Sequence, residues 1–402
     1  MADRHRVESF FRQDGVDFEV RGYDARGCTQ REGFRDFQVG GVYCANSECK
    51  LARVPAGQIK AVKPPMTETN DTLVVGVDIG GTKVASGLVN RNGEIKTQTR
   101  TPMVANGDAG DGLAAVVSAI DFIFASDAKA RTIIRGIGIC APGPLDPATG
   151  VVINPPNLPC WRNFPLATQV AEIYRVPVKV ENDANAAALA EAYWGAGRGY
   201  AHIFYAGLGT GIGTGIVFEG CIYNGRTGAA AEGGHMSIDY RGPRCGCGKP
   251  GCIEVLAAGP AIARRARALL TSKPASKPTS EQSSRSIMLD LADGNVDAVT
   301  SEMVGQAHAA GDPLAKQTLL ETVDLLSLWL SNIADLLEPD VIIIGGGVAA
   351  MLSPFFDDIS KGLARYCINS RCREIPLLKA RYGADSGIAG GAALCSERSN
   401  CA

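Results

Sequence analysis

His235, Cys245, Cys247 and Cys252 follow one another as H-x9-C-x-C-G-x-x-G-C, one imidazole and three thiols in a short run. Four soft nitrogen and sulfur donors make a closed tetrahedral zinc site, and the glycines between them let the backbone turn tightly enough to bring them together. A lone C-x-C is better read as buried hydrophobes, but the whole cluster is read as structural zinc. Four protein ligands leave no position for water, so such an ion holds a loop instead of activating a nucleophile. The loop carries Glu232, three residues before His235, and Glu254, two after Cys252, both placed for a polar ligand.

Two glycine turns offer different chemistry. Asp78-Ile-Gly80-Gly81-Thr82-Lys83 joins two apolar runs, and Gly209-Thr210-Gly211-Ile-Gly213-Thr-Gly215 joins two more. Glycines let phosphate oxygens reach backbone N–H groups, Thr82 adds a hydroxyl, Lys83 a positive charge, and Asp78 can reach Mg²⁺ directly or through water. One such turn is also an ordinary hairpin. Two of them suggest duplicated α/β halves whose turns face each other across a cleft and hold one polyphosphate. The strand Asp340 to Ile344 ends in Gly345-Gly346-Gly347, where Gly346 permits close approach of a nucleobase or ribose.

Asn182-Asp183-Ala-Asn185 stands where the strand 178–181 enters an Ala-rich helix, 184–194. Asp183 there is either a helix N-cap or, at the carboxyl end of a strand, a general base for a substrate hydroxyl. Asn182 and Asn185 would then orient the substrate or the helix end.

The elements that must carry these groups read as strand and helix in alternation. Helices are expected over 111–127, 165–174, 259–271, 287–293, 296–310 and 313–337, with a strand at 133–140 and a polar Ser/Pro/Lys loop at 271–284. Residues 1–70 lack sustained periodicity and read as an atypical extension, disordered or loosely attached, with Met66 an alternative start. The remainder divides into α/β domains at 71–182 and 183–398, the second holding the zinc segment 232–254. At 402 residues with 46% hydrophobic content the chain can bury sizeable cores. A net charge of −2 supplies no basic field for nucleic acid or an acidic membrane, and no apolar run approaches the ~18 residues of a membrane span. Thirteen cysteines, an odd count, fit reduced thiols and a cytoplasmic location better than a disulfide framework.

Taken in order, D-I-G-G-T-K, P-G, E-N-D-A-N, G-T-G-I-G-x-G, E-x-G-H and C-x-C-G-x-x-G-C-x-E resemble the ROK family of bacterial sugar kinases and related repressors, across residues 73–395. The resemblance implies an actin/hexokinase-like (ribonuclease H-like) fold of two α/β domains. It also implies ATP with Mg²⁺ in the cleft, phosphoryl transfer to a sugar hydroxyl, and a homodimer or higher homo-oligomer. It makes Asp183 the general base, sets Asn182, Glu232, His235 and Glu254 on the sugar with Gly143 and Asn157 lining it, and gives His235 one ring nitrogen for zinc and one for the sugar. Glucose is the first expectation for the acceptor, N-acetylglucosamine or N-acetylmannosamine the second, and a sugar-sensing regulator without activity the third. Two positions depart from the pattern. Thr214 replaces a usual glycine, its methyl either crowding the phosphate side or turned away, and Ala231 stands before Glu232 where Ala-Gly is more common.

Overall fold

The computed structural model describes residues 72–127, 130–272 and 286–397, together with the backbone of four short strands, Phe11–Gln13, Val16–Phe18, Cys44–Ala45 and Glu48–Cys49. These strands pair antiparallel as two small ladders. Met1–Glu68 forms one compact unit and Thr69–Ala402 another. Most of the expected extension and of the polar loop at 271–284 lies outside the described residues.

The larger unit contains the same sheet twice. In the first, the order is Ile95–Pro102, Lys83–Asn90, Leu73–Ile79, Ile134–Ala141 and Val178–Asn182. In the second it is Cys221–Ile222, Ile212–Phe218, His202–Leu208, Val341–Gly345 and Leu377–Lys379. Each opens with an antiparallel meander and closes with parallel strands, the repeat expected from the two glycine turns. Parallel pairing requires crossover connections, and helices supply them.

Each sheet has its own core. Behind the first, Ala109–Ser126 buries Val116, Ala119, Ile120 and Ile123 at helical spacing, its N-terminus closed by a capping box between Asp108 and Asp111. That helix is 18 residues long and apolar enough to cross a membrane by length and composition, a correction to the expectation that no run approaches that length. Its apolar stripe covers the sheet. Behind the second sheet, the 25-residue helix Pro313–Leu337 starts where expected, its Pro at the first turn and Asp312 accepting from Leu314 and Ala315 N–H. Trp329 and Leu330 on it are fully buried. The expected helix at 296–310 is instead a single 3₁₀ turn, Val296–Ala298, followed by Ser301–Ala309, because Thr300 caps a new start by accepting from Met303 N–H at 3.3 Å.

A third core joins the halves through two small-residue helices, Asp183–Trp194 and Ser386–Leu394. The second lies so close to the first sheet that a Cβ at Gly76 or Gly138 would strike the Ile388 or Gly391 carbonyl. Gly390 meets the backbone of Ala186 and Ala187, so the two helices touch almost backbone to backbone. Cys140, Cys160, Cys367, Cys372 and Cys395 are free thiols as expected, whereas Cys221 is disulfide-bonded.

Candidate active site

A cleft of about 750 Å³ opens between the sheets, at the carboxyl ends of their parallel strands. Asp183 stands at its floor, the first residue of its helix. The cap is Asn182, whose side-chain oxygen accepts from Ala184 N–H at 3.0 Å and Asn185 N–H at 3.4 Å. Asp183 therefore escapes the capping role that the sequence left open. One of its oxygens accepts from Ala184 N–H at 2.8 Å, and the side chain meets the water of the cleft. Protein walls surround it nonetheless, and that enclosure raises its carboxyl above the ordinary range, with the charge of Glu232 adding to the effect.

The residues expected on the substrate come together. Gly143, Asn157, Asn182, Asp183, Glu232, His235 and Glu254 all line the cleft. Of those expected on nucleotide, Asp78, Gly211, Gly213 and Gly346 line it too, Gly346 with a left-handed φ of 83° that glycine tolerates. Gly80, Gly81, Thr82, Lys83 and Thr210 are outside that lining. The first turn is closed on itself by Gly80 N–H donating to the Lys83 carbonyl at 2.9 Å, and Thr82 and Lys83 are exposed. Asn185 is buried and turned away, donating to Glu181 and to Asn224, both at 3.2 Å.

Glu181 ends the strand 178–181, and nothing in its sequence setting marks it as a site residue. Its carboxylate is buried, accepts from Asn182 N–H at 2.8 Å, Asn185 and the Asn224 amide at 3.0 Å, and ties the strand that delivers Asp183 to the loop after Ile222. Burial raises its carboxyl despite these donors. Ser386, Gly387 and Tyr205 also line the cleft, and a Cβ on Gly387 would run into the Asp78 carboxylate. Only the Ser-Gly pair at a helix start could have signalled the first two.

The metal-ligand cluster borders this cleft. The ligand atoms of His235, Cys245, Cys247 and Cys252 lie within 4.8 Å of one another. His235 Nδ1 is 3.6 Å from Cys245 Sγ, and Cys247 Sγ is 3.6 Å from Cys252 Sγ. Gly248 and Gly251, with φ of 93° and 58°, make the turns between them. Since Nδ1 faces the thiols, Nε2 is the ring nitrogen left for another partner. Glu254 connects cluster and turn, Oε1 standing 3.8 Å from His235 Nδ1 and Oε2 accepting from Ile212 N–H at 3.0 Å. Gly211 is needed for this approach, because a Cβ there would meet Oε2.

With the geometry in view, a model of the ROK family matches residues 74–398. A glucokinase of Thermotoga maritima is 33% identical over 326 residues, 81% of this chain and 98% of that one. A solved structure of a ROK family glucokinase from Streptomyces griseus, in complex with glucose and AMPPNP, is 34% identical, covering 80% of this chain and 98% of that one with a TM-score of 0.67. A xylose repressor of Caldicellulosiruptor bescii is 27% identical over 311 residues, 77% of this chain and 73% of that protein.

Asp78 yields a test of the electrostatics. Burial, then the charge of Asp183, pushes its carboxyl from 3.8 up to about 6, with Lys83 and Arg100 opposing. A raised carboxyl favours the folded state at low pH, and that contribution is lost as pH rises from 3.8 through about 6. In urea unfolding of the ligand-free protein, Asp78→Asn should therefore be more stable than the parent at pH 8 by up to about 3 kcal/mol, and nearly equal to it at pH 4. An equal gain at both pH values would contradict this assignment.

Proposed function

The chain belongs to the ROK family and is a sugar kinase, and from that premise we propose that it transfers the terminal phosphoryl group of ATP to the 6-hydroxyl of glucose with Asp183 as general base. The observation that carries the reading is the floor of the cleft: a carboxylate relieved of capping, open to a ligand and raised in pKa, beside Glu232, His235 and Glu254. A base whose pKa lies nearer the working pH keeps proton affinity while remaining ionised, which general-base catalysis requires. Asp183 takes the hydroxyl proton as the oxygen attacks. Glu232 and Glu254 offer acceptors, and His235 Nε2 and the Asn182 amide offer donors, to neighbouring hydroxyls of the ring. Likeness to the glucokinases supports glucose as the acceptor.

Phosphoryl transfer asks the protein for positioning and charge neutralisation more than covalent work. The second glycine turn at Gly211 and the helix start at Ser386 and Gly387 would supply positive dipoles to phosphate oxygens, the Ile212 N–H being held by Glu254. Asp78 could hold Mg²⁺ directly or through water, and an ion there would offset phosphate charge while leaving Asp183 free for the hydroxyl proton. Closure of the two halves would expel water that competes for the phosphoryl group. A reaction drawing on ATP and a hexose fits the cytoplasm.

The four-ligand cluster is assigned to structural zinc. Tetrahedral Zn–S bonds of ~2.3 Å and a Zn–N bond of ~2.0 Å require a sulfur–sulfur edge of ~3.8 Å and a sulfur–nitrogen edge of ~3.5 Å, close to the 3.6 Å between Cys247 and Cys252 Sγ and the 3.6 Å between Cys245 Sγ and His235 Nδ1. Zinc would orient His235 through Nδ1 and keep the segment bearing Glu232 and Glu254 in place.

The similarity to a xylose repressor favours a second reading, a sugar-sensing regulator using the same cleft without turnover. A coupled-ADP assay over a panel of hexoses and N-acetylhexosamines separates them. Highest kcat/KM with glucose is expected; a higher value with an N-acetylhexosamine overturns the acceptor, and no ADP with any sugar overturns the enzyme. Asp183→Asn should lower kcat by about 10² or more while glucose and ATP affinities, measured by calorimetry, stay near the parent's. Near-normal kcat would leave Asp183 a structural residue. Cys247→Ser should lose its metal by elemental analysis and raise the sugar KM about tenfold or more, with ATP binding in the absence of sugar little changed. Full activity in a zinc-free parent would remove the clamp from the account.

A further inference from the structure

The two departures noted in the sequence, Thr214 and Ala231, meet in space. Along the strand Ile212–Phe218, Gly213 and Gly215 face the helix Asp183–Trp194, where Cβ atoms on them would touch Ala184 and Ala188. Thr214 points to the opposite face and is 4% exposed. Its methyl group therefore neither crowds the phosphate side nor reaches solvent. Its hydroxyl donates to the Ala231 carbonyl oxygen and accepts from Gly233 N–H at 2.8 Å, the two bonds bracketing Glu232.

Ala231 has a φ of 64°, in the left-handed region that an L-alanine rarely adopts and glycine enters readily. Something must hold it there. The Glu232–Gly233 peptide is fixed from both sides, its N–H by Thr214 and its carbonyl by His235 N–H at 3.0 Å, and the following Gly233 carbonyl accepts from the Trp329 indole N–H at 3.1 Å. A Cβ at Gly233 would press on the Thr214 hydroxyl, so the bracket also requires that glycine.

We propose that Thr214 is a positioning residue for sugar binding: its hydroxyl locks Ala231 in the left-handed conformation and thereby aims Glu232 into the cleft. Thr214 and Ala231 act as a pair, the hydroxyl compensating for the absence of a glycine at 231. This rests on the reading of Glu232 as a sugar ligand, so the test includes a readout that needs no sugar. Removing the hydroxyl while keeping the shape, Thr214→Val, leaves the half-buried Ala231 carbonyl and the buried Gly233 N–H without this partner.

Three variants, Thr214→Val, Thr214→Ser and Ala231→Gly, and the Val/Gly double variant would be compared with the parent by amide hydrogen exchange at Gly233 in the ligand-free protein and by glucose and ATP kinetics. Thr214→Val should lower protection at Gly233 at least tenfold and raise the glucose KM about tenfold, with the ATP KM within twofold. Thr214→Ser should restore both. In the Ala231→Gly background the same Val substitution should raise the glucose KM threefold or less, since glycine holds the left-handed conformation unaided. Unchanged protection at Gly233 in Thr214→Val, or a Val effect on KM of equal size in both backgrounds, overturns the proposal. Lost protection with an unmoved glucose KM overturns the role in sugar binding and locates the fault in the reading of Glu232. Should Thr214→Val not fold, Thr214→Ala carries the same comparison.

Discussion

The cleft depends on how closely the helix Ser386–Leu394 can approach the first sheet. Side chains on Gly76, Gly138 and Gly391 would hold the helix away from the strands, and one on Gly390 would part it from its partner helix, Asp183–Trp194. With glycines there, two thin helices fill the space between sheets. The last residues of the described chain are thereby brought against the first strands of the sheet, and Gly387 against the Asp78 carboxylate. Asp183, directly after the edge strand Val178–Asn182 of that same sheet, lines the cleft together with Asp78.

That arrangement concentrates negative charge. Asp78 and Asp183 are both enclosed, each raised by burial, with Asp183 the next contributor at Asp78 and Glu232 contributing at Asp183. Glu181 behind them is also buried and raised, satisfied by amides instead of a cation. Such a site is poorly matched to the ligand-free state and better matched to one holding cationic charge near Asp78 and donating hydroxyls near Asp183. The side bearing Glu232 and Glu254 is held by short-range links instead. Glu254 joins the second glycine turn to the thiol cluster, while Thr214 and Trp329 hold the N–H and the carbonyl of Gly233, the residue after Glu232.

Much of this was legible in the chain because the signals were local. Two glycine hairpins revealed the repeated sheets, and the His/Cys spacing anticipated a cluster whose ligand atoms do converge. Asp183 is nameable from the sequence but its role there stays divided, since Asn and Asp cap helices about equally well; in the structure Asn182 takes that task. What escaped was non-local. Ser386, Gly387 and Tyr205 reach the cleft through packing between segments far apart in sequence. Asn185 followed the buried network of Glu181 and Asn224 instead of the ligand. Lys83 and Thr82 fit a phosphate turn by type, yet the hairpin closes on itself and leaves them exposed outside the lining. Thr214 and Ala231 looked like separate irregularities until their hydrogen bond joined them.

The central claim is that Asp183, raised by enclosure and not engaged in capping, removes the proton from the attacking hydroxyl. The pH dependence of kcat/KM for glucose tests it most directly, run on the parent and on Asp183→Asn at saturating Mg²⁺ and ATP. The account predicts that the parent loses activity toward acid with an apparent pKa above the ordinary carboxyl value of 3.8, because protonation removes the base. It further predicts that the residual activity of the variant lacks this limb. A parent whose kcat/KM holds constant down to the ordinary carboxyl range, or a variant that keeps the same acid limb, would contradict it.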